Sequence, residues 1–394
     1  MYSRSEFGAG KFVPADGRAS GEPEEILRGL IYQYRELESD TRGLPVHLIV
    51  YLGLGDVGGM LWEQQVKVLQ RIGNVKHPAL PVFLSGGHIP GSDPTEPSPR
   101  RVGAGYVRTR SYEHAEVGTS VAEYADTIAE HFRAQPVQAL QNLWLIADAL
   151  SVLHDAHVAH RNLWPGTLEY EFPQEGVAAM RLARFEMSSM VANLLRNRRV
   201  DTSGVNAVKR LYLGQDPRSL VYTPPERLDF LFGNDAALLS NTEGDVFALG
   251  MIAAEWLSAA GDFTSVVADR SALLDMQREV RRQVNISSTL PQALSGLIHR
   301  MLHPVPAERP TMYEVVQDFS AAYDDALSVL EPTEITAPYL VAFMPTYSDI
   351  RLRDQLSDSA TTDAGKEELC ALVEKDFRGS RVTFSKTGAA RFLD

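Results

Sequence analysis

Residues 137 to 158, VQALQNLWLIADALSVLHDAHV, place the tightest constraint on the fold. At 3.6 residues per turn their apolar side chains cover most of the helix circumference rather than a single stripe. A chain in water hides such a helix only by wrapping other helices around it, so the segment predicts the centre of a helical layer. Candidates for the wrapping follow at DVFALGMIAAEWLSAA (245–260), QALSGLIHRMLH (292–303) and MYEVVQDFSAAYDDALSVL (312–330). SVAEYADTIAEHF (120–132) reads as a helix leading into it. No apolar run approaches the roughly 18 residues that a bilayer requires, and the first 25 residues lack an apolar signal-peptide core. The expected location is cytoplasmic, without a membrane partner.

Upstream of this layer the pattern belongs to strands. Residues 1 to 22 show no periodicity and read as a flexible leader. GLIYQYRELES (29–39) alternates apolar with polar residues, DTRGLP supplies a turn, and VHLIVYLG (46–53) is a dense β-branched run, which together predict a hairpin. MLWEQQVKVLQRI (60–72) places Leu61, Trp62, Val66, Leu69 and Ile72 at helical spacing. ALPVFLSGG (79–87) reads as a strand, and HIPGSDPTEPSPRR (88–101) as an exposed loop. Beyond 330, PYLVAFMPTYS and RVTFSKT read as strands flanking a helix at KEELCALVEKDF.

The fold class is therefore α+β. A β-rich lobe with one main helix spans 23–115, a helical lobe 116–330, and a small α/β extension or the start of a further domain 331–394.

Charge and chemistry narrow the function classes. A formal net charge of −13 argues against a nucleic-acid partner, because phosphate neutralisation needs clustered Lys and Arg. The lone Cys370 excludes an internal disulfide framework and cysteine-rich zinc sites. His154, His157 and His160 recur every third residue, a spacing better explained by packing and backbone hydrogen bonds than by a metal. GLGDVGG (53–59) satisfies the G-x-G-x-x-G dinucleotide pattern. The acidic residue that should follow about 20 positions later, to hold a ribose, is missing. A turn between strand and helix is the favoured reading.

HRNLWPGTL (160–168) resembles the catalytic loop of protein kinases, H-R-D-L-K-P-x-N. Other segments resemble the same family in the same order. GLIYQY (29–34) is similar to the end of the glycine-rich loop, VHLI (46–49) to V-A-I-K, and LARFEMS (182–188) to L-x-D-F-G. YTPPERL (222–228) is similar to the A-P-E region, DVFALG (245–250) to D-V-W-S-L-G, and HRMLHPVPAERPT (299–311) to the closing M-L-x-x-D-P-x-x-R-P-T. The resemblance is to the protein kinase-like superfamily, in its bacterial eukaryotic-type Ser/Thr form, over roughly residues 24 to 328. It implies a bilobal fold.

Kept and altered positions separate by role. The resemblance assigns fold roles to His160, Arg161, Pro165, Phe185, Glu226, Asp245, Gly250 and Arg309, with Glu226 paired to Arg309 and Asp245 bracing the loop backbone. The chemical positions have changed. Ile49 stands in place of the phosphate-pairing lysine, Gln65 in place of its glutamate partner, and Asn162 in place of the base. Thr167 and Arg184 replace the two metal ligands, Glu186 replaces the adjacent glycine, and Trp164 replaces the loop lysine. Phosphoryl transfer is mostly positioning and electrostatics, and each lost charge contact costs about 2–4 kcal/mol at the transition state. Arg184, a cation where a dication should bind, repels it.

The resemblance therefore implies an inactive pseudokinase, a scaffold or allosteric regulator acting on protein partners in a signalling or defence assembly. Neither magnesium nor another cofactor is expected and ATP binding is not favoured. Arg184, Trp164 and Glu63 are the candidate ligand contacts. The alternative is an atypical ATP-using transferase with relocated residues, Glu186 as metal ligand or base and Glu63 as partner to a displaced cation. NLLRNRRV (193–200) reads as a solvated basic patch.

Overall fold

The computed structural model describes residues 12–14, 24–27, 31–39, 45–52, 57–72, 77, 79–88, 98–102, 105–109, 111–117, 123–124, 129–171, 179–188, 209, 212–233, 242–258, 266, 268–328, 381–384 and 390–393. Helices and antiparallel strands both occur, so the class is α+β. The chain divides into two compact units. One comprises Met1–Asn74, Pro81–Ala122 and Arg184–Pro217, the other Val75–Leu80, Glu123–Ala183 and Arg218–Asp394.

The first unit is built on an antiparallel sheet. Its strands β1 (Phe12–Pro14), β3 (Ile31–Ser39), β4 (Pro45–Leu52), β8 (Ser111–Val117) and β5 (Val82–His88) lie in the spatial order β1-β3-β4-β8-β5, and β2 (Glu24–Leu27) also pairs with β3. The expected hairpin is the β3–β4 pair, with Tyr34 opposite Leu48 and Gln33 opposite Ile49. Helix α1 (Val57–Ile72) packs on β4, β5 and β8. Of its apolar positions Leu61, Val66, Leu69 and Ile72 are buried, which is why this stretch coils as a helix and lies flat on the sheet.

Two expectations change here. Phe12–Pro14, inside the expected leader, pairs with β3. The expected loop at 88–101 ends in strand β6 (Ser98–Val102), paired with β7 (Gly105–Thr109). SPRRV carries neither alternation nor β-branched residues before its last position, so cross-strand pairing and not local propensity makes it extended.

The second unit is wound around α3 (Pro136–Asp155), which buries Ala139, Leu140, Leu143, Ile146, Ala147, Leu150 and Leu153. Pro136 opens α3, where a missing N–H costs nothing. Around it stand α2 (Ala129–Ala134), α6 (Thr242–Leu257) and α9 (Met312–Ser328). Phe132, Trp256 and Tyr170 interlock between these elements, with ring centroids 4.5 Å (Phe132 to Trp256) and 5.5 Å (Phe132 to Tyr170) apart. Shorter helices α4 (Ser219–Tyr222), α5 (Pro225–Leu231), α7 (Arg270–Gln283) and α8 (Ala293–Met301) complete the unit.

Gly250 lets α6 and α8 approach closely, since a Cβ there would lie 2.8 Å from Met301 Cβ. A three-stranded sheet, β9 (Glu123–Tyr124), β10 (Leu168–Glu171) and β11 (Ala179–Leu182), interrupts the helices. Glu123–Tyr124 therefore lies in a strand where the sequence texture suggests helix, because β10 offers it an edge. The last hairpin, β12 (Arg381–Phe384) with β13 (Ala390–Leu393), includes the expected RVTF strand. The expected strand at 338–348 and helix at 366–377 lie outside the described residues. Among the described residues no helix is long and apolar enough to cross a membrane.

Candidate functional site

The segment 158–164 leaves α3 without joining a helix or strand, so its backbone N–H groups need partners from elsewhere. Asp245, in the first turn of α6, supplies them. Its Oδ2 accepts from the His160 N–H at 2.7 Å and its Oδ1 from the Arg161 N–H at 2.8 Å. His154 Nε2 donates to Oδ2 at 3.1 Å. Arg161 adopts φ 66°, a left-handed conformation that a non-glycine residue holds only when its surroundings impose it. Arg227 donates to the Arg161 carbonyl and locks the same peptide from the other side.

Burial raises the Asp245 carboxyl, but the His154 bond and charge, with the Arg161 N–H, outweigh it and hold the pKa below the ordinary carboxylate value. Burial pushes the His160 imidazole below its usual value despite Asp245 nearby, so the ring is neutral. It donates through Nε2 to the Ala183 carbonyl at 2.8 Å. His154 and His160 thus serve different partners, and His157 is exposed at φ 58°. Among the described residues no group of three or more His, Cys, Asp or Glu is placed to hold a metal.

The next four residues close on themselves. Trp164 is extended, Pro165 opens a single 3-10 turn, and the Thr167 N–H returns to the Trp164 carbonyl at 2.9 Å. The Thr167 hydroxyl donates to that carbonyl at 2.8 Å and accepts from the Trp164 N–H at 3.1 Å. The hydroxyl thereby spends its one proton and one of its two lone pairs on backbone. The indole lies over Gly166 so closely that a Cβ there would come within 2.1 Å of the ring. The Arg218 guanidinium stands 6.0 Å from the ring centroid. Asn162 is buried and carries an amide, a group that does not take up a proton at neutral pH.

Further along, Arg309 donates to both oxygens of Glu226, each at 2.8 Å, in the bidentate geometry favoured by guanidinium. It also donates to the carbonyls of His303 at 2.8 Å and Glu243 at 2.9 Å, and its charge stands 4.9 Å from the Phe247 centroid. Glu226 opens α5 and Glu243 opens α6, so one side chain ties together the starts of two helices.

In the first unit Gln65 is buried on α1, which packs against the 3-10 turn Phe185–Met187. Phe185 is fully buried, Glu186 is buried, and Arg184 precedes the turn at φ 64°. Ile49 sits in β4 opposite His114 of β8, and Glu63 lies in α1; the side chains of Ile49 and Glu63 lie outside the described residues. GLGDVGG connects β4 to α1, with 53–56 outside the described residues, as is NLLRNRRV.

Within the second unit the structure thus brings His160, Arg161 and Asp245 into one bonded group and Glu226 and Arg309 into another. Sequence reasoning passed over Arg227, Arg218 and Gly166. Arg227 follows Glu226 directly, but nothing in that adjacency signals a bond to a carbonyl 66 positions away. No family model matches the chain, and no curated protein matches it.

Proposed function

We propose that the chain is a protein-kinase-like pseudokinase: a bilobal fold of that superfamily that transfers no phosphate and acts by binding other proteins. The observation that carries the reading is the state of the Thr167 hydroxyl. At the position where the resembling family holds a metal-binding asparagine, this side chain is bonded twice to the backbone of Trp164. Beside it, Asn162 has no carboxylate to take a substrate proton, and the indole of Trp164 makes the loop apolar where a lysine would carry charge. The Asp245 and Glu226–Arg309 groups support the same reading from the fold side, since these bonds hold a loop and two helix starts in place without taking part in chemistry.

A thermal unfolding titration with ATP, run with and without magnesium, tests it. A ligand that binds only the folded chain stabilises it by about 2.7 kcal/mol at a hundredfold excess over Kd. The expected result is no magnesium-dependent shift at millimolar nucleotide. A shift that requires magnesium, together with transfer of label from ATP, sinks the proposal in favour of a transferase using Glu186 and Glu63.

A further inference from the structure

We propose that the groove between α8 and α9 is a docking site for a partner polypeptide, which seats an aliphatic side chain in the groove and a basic side chain in the cavity beside it. The groove encloses about 190 Å³ and is lined by Pro291, Ala293, Leu294 and Leu297 on the α8 side and by Ala321 and Ala322 of α9. Ala293 and Ala321 are exposed, so methyl groups stand where longer side chains would close the space. A cavity of about 440 Å³ adjoins it, walled by the turn 307–310, the end of α8 and the start of α9. Arg300 and Asp318 line both spaces, and their ion pair at 2.5 Å marks where the two meet.

Counting every charge on these walls gives the occupant its sign. Arg309 is spent on Glu226 and on backbone carbonyls, and Arg300 on Asp318. The other charged lining residues are Glu308, Glu314 and Asp325, all carboxylates. Glu314 is held in place, since its Oε2 accepts from the Thr311 N–H at 2.7 Å and the Thr311 hydroxyl at 2.8 Å. Those two bonds also keep its carboxyl below the ordinary pKa, so it is anionic at neutral pH. An apolar groove that opens into an excess of carboxylates matches an aliphatic residue followed by lysine or arginine, and repels nucleic acid, an anionic lipid surface or an acidic peptide.

The face extends beyond the two spaces. Among the described residues Leu213, Val305 and Tyr313 are the large apolar side chains that stand exposed, and the last two bracket the 307–310 wall. Grouped beside a groove they form the kind of apolar surface at which proteins meet. The aliphatic stem of an arginine can lie along it while the guanidinium reaches the carboxylates.

This gives the protein-binding reading a surface and rests on that reading only for there being a partner, so the nucleotide titration and the following test fail independently. The probes are capped, fluorescently labelled alanine-based peptides with one leucine followed, at several spacings, by two arginines. Counterparts carry glutamate for arginine or serine for leucine, and binding to the full chain is read by fluorescence anisotropy. At least one leucine–arginine peptide is expected to bind, more weakly at high salt, with both counterparts much weaker. Glu308→Gln combined with Glu314→Gln should weaken it about fivefold, while the new amide oxygen still caps Thr311.

Ala321→Arg should abolish binding by filling the groove with a long cationic side chain. Its site is exposed, so it should melt with the parent chain; Ala293→Arg, exposed on the other wall, is the second variant if it does not. No binding at any spacing, equal binding of the glutamate peptide, or binding unchanged by both arginine variants overturns the proposal. Self-association that grows with concentration and vanishes in Ala321→Arg would assign the face to a second copy of this chain and overturn it as well.

Discussion

Within one short loop, residues 160–161 and residues 162–167 are held by opposite means. The first pair is braced from outside, with every described backbone contact reaching a distant residue: Asp245 takes both N–H groups and Arg227 takes a carbonyl. The second stretch is braced mainly from inside, with Thr167 and Gly166 closing around Trp164, and is tied outward only at its end, where the Thr167 carbonyl accepts from the Ala183 N–H at 2.9 Å. The lesson is that a loop's course and a loop's chemistry can be secured separately. Long-range bonds preserve the course, and local substitutions then rewrite what the side chains offer.

Removing the outer brace should have the largest effect. Asp245→Ala leaves two buried N–H groups and His154 without their acceptor, and should destabilise the chain by about 4 kcal/mol in chemical denaturation. A change below about 1 kcal/mol would mean that the loop holds its course without Asp245. Arg309→Ala comes next, at about 3 kcal/mol, since it strands the Glu226 carboxylate and two carbonyls. Arg309→Lys should recover only part of that loss, because an ammonium cannot make the bidentate contact.

The inner brace is tested by a double-mutant cycle. Gly166→Ala forces a methyl against the indole and should cost about 1–3 kcal/mol in the parent chain. In a Trp164→Ala background the same change should cost little, and additive effects would show that the ring does not press on Gly166.

The smallest effect is a pH dependence. His160 has a folded-state pKa below its ordinary value, so below about pH 6.5 the unfolded chain takes up a proton that the folded chain refuses. Stability then falls on acidification, by at most about 1.4 kcal/mol per pH unit. The Asp245 carboxyl, also shifted down, adds a loss of the same sign at more acidic pH. His160→Gln should flatten the upper part of the curve, and an unchanged slope would assign the titration to another group.

How much of this was legible depends on how local each cause is. The five apolar positions of 60–72 announced α1, since a helix is its own pattern, and the apolar girth of 137–158 announced a wrapped helix. The pairing of Glu226 with Arg309 was approachable only through resemblance, as 83 positions separate them. β6, β9 and the strand inside the leader were missed because an extended segment is stabilised by the edge it joins, and that edge is not written in the segment. The Thr167 closure was also hidden, although that residue had been singled out as altered.

By itself the sequence determined where hydrophobic periodicity builds helices and strands, which charges are present to be paired, and which side chains stand at 160–167. Tertiary structure alone decided that Asp245 meets the N–H groups of 160 and 161, that Arg227 reaches Arg161, and that the indole lies on Gly166. Periodicity is a property of neighbours a few residues apart, whereas a hydrogen bond depends on angles and distances that only the folded chain brings into being.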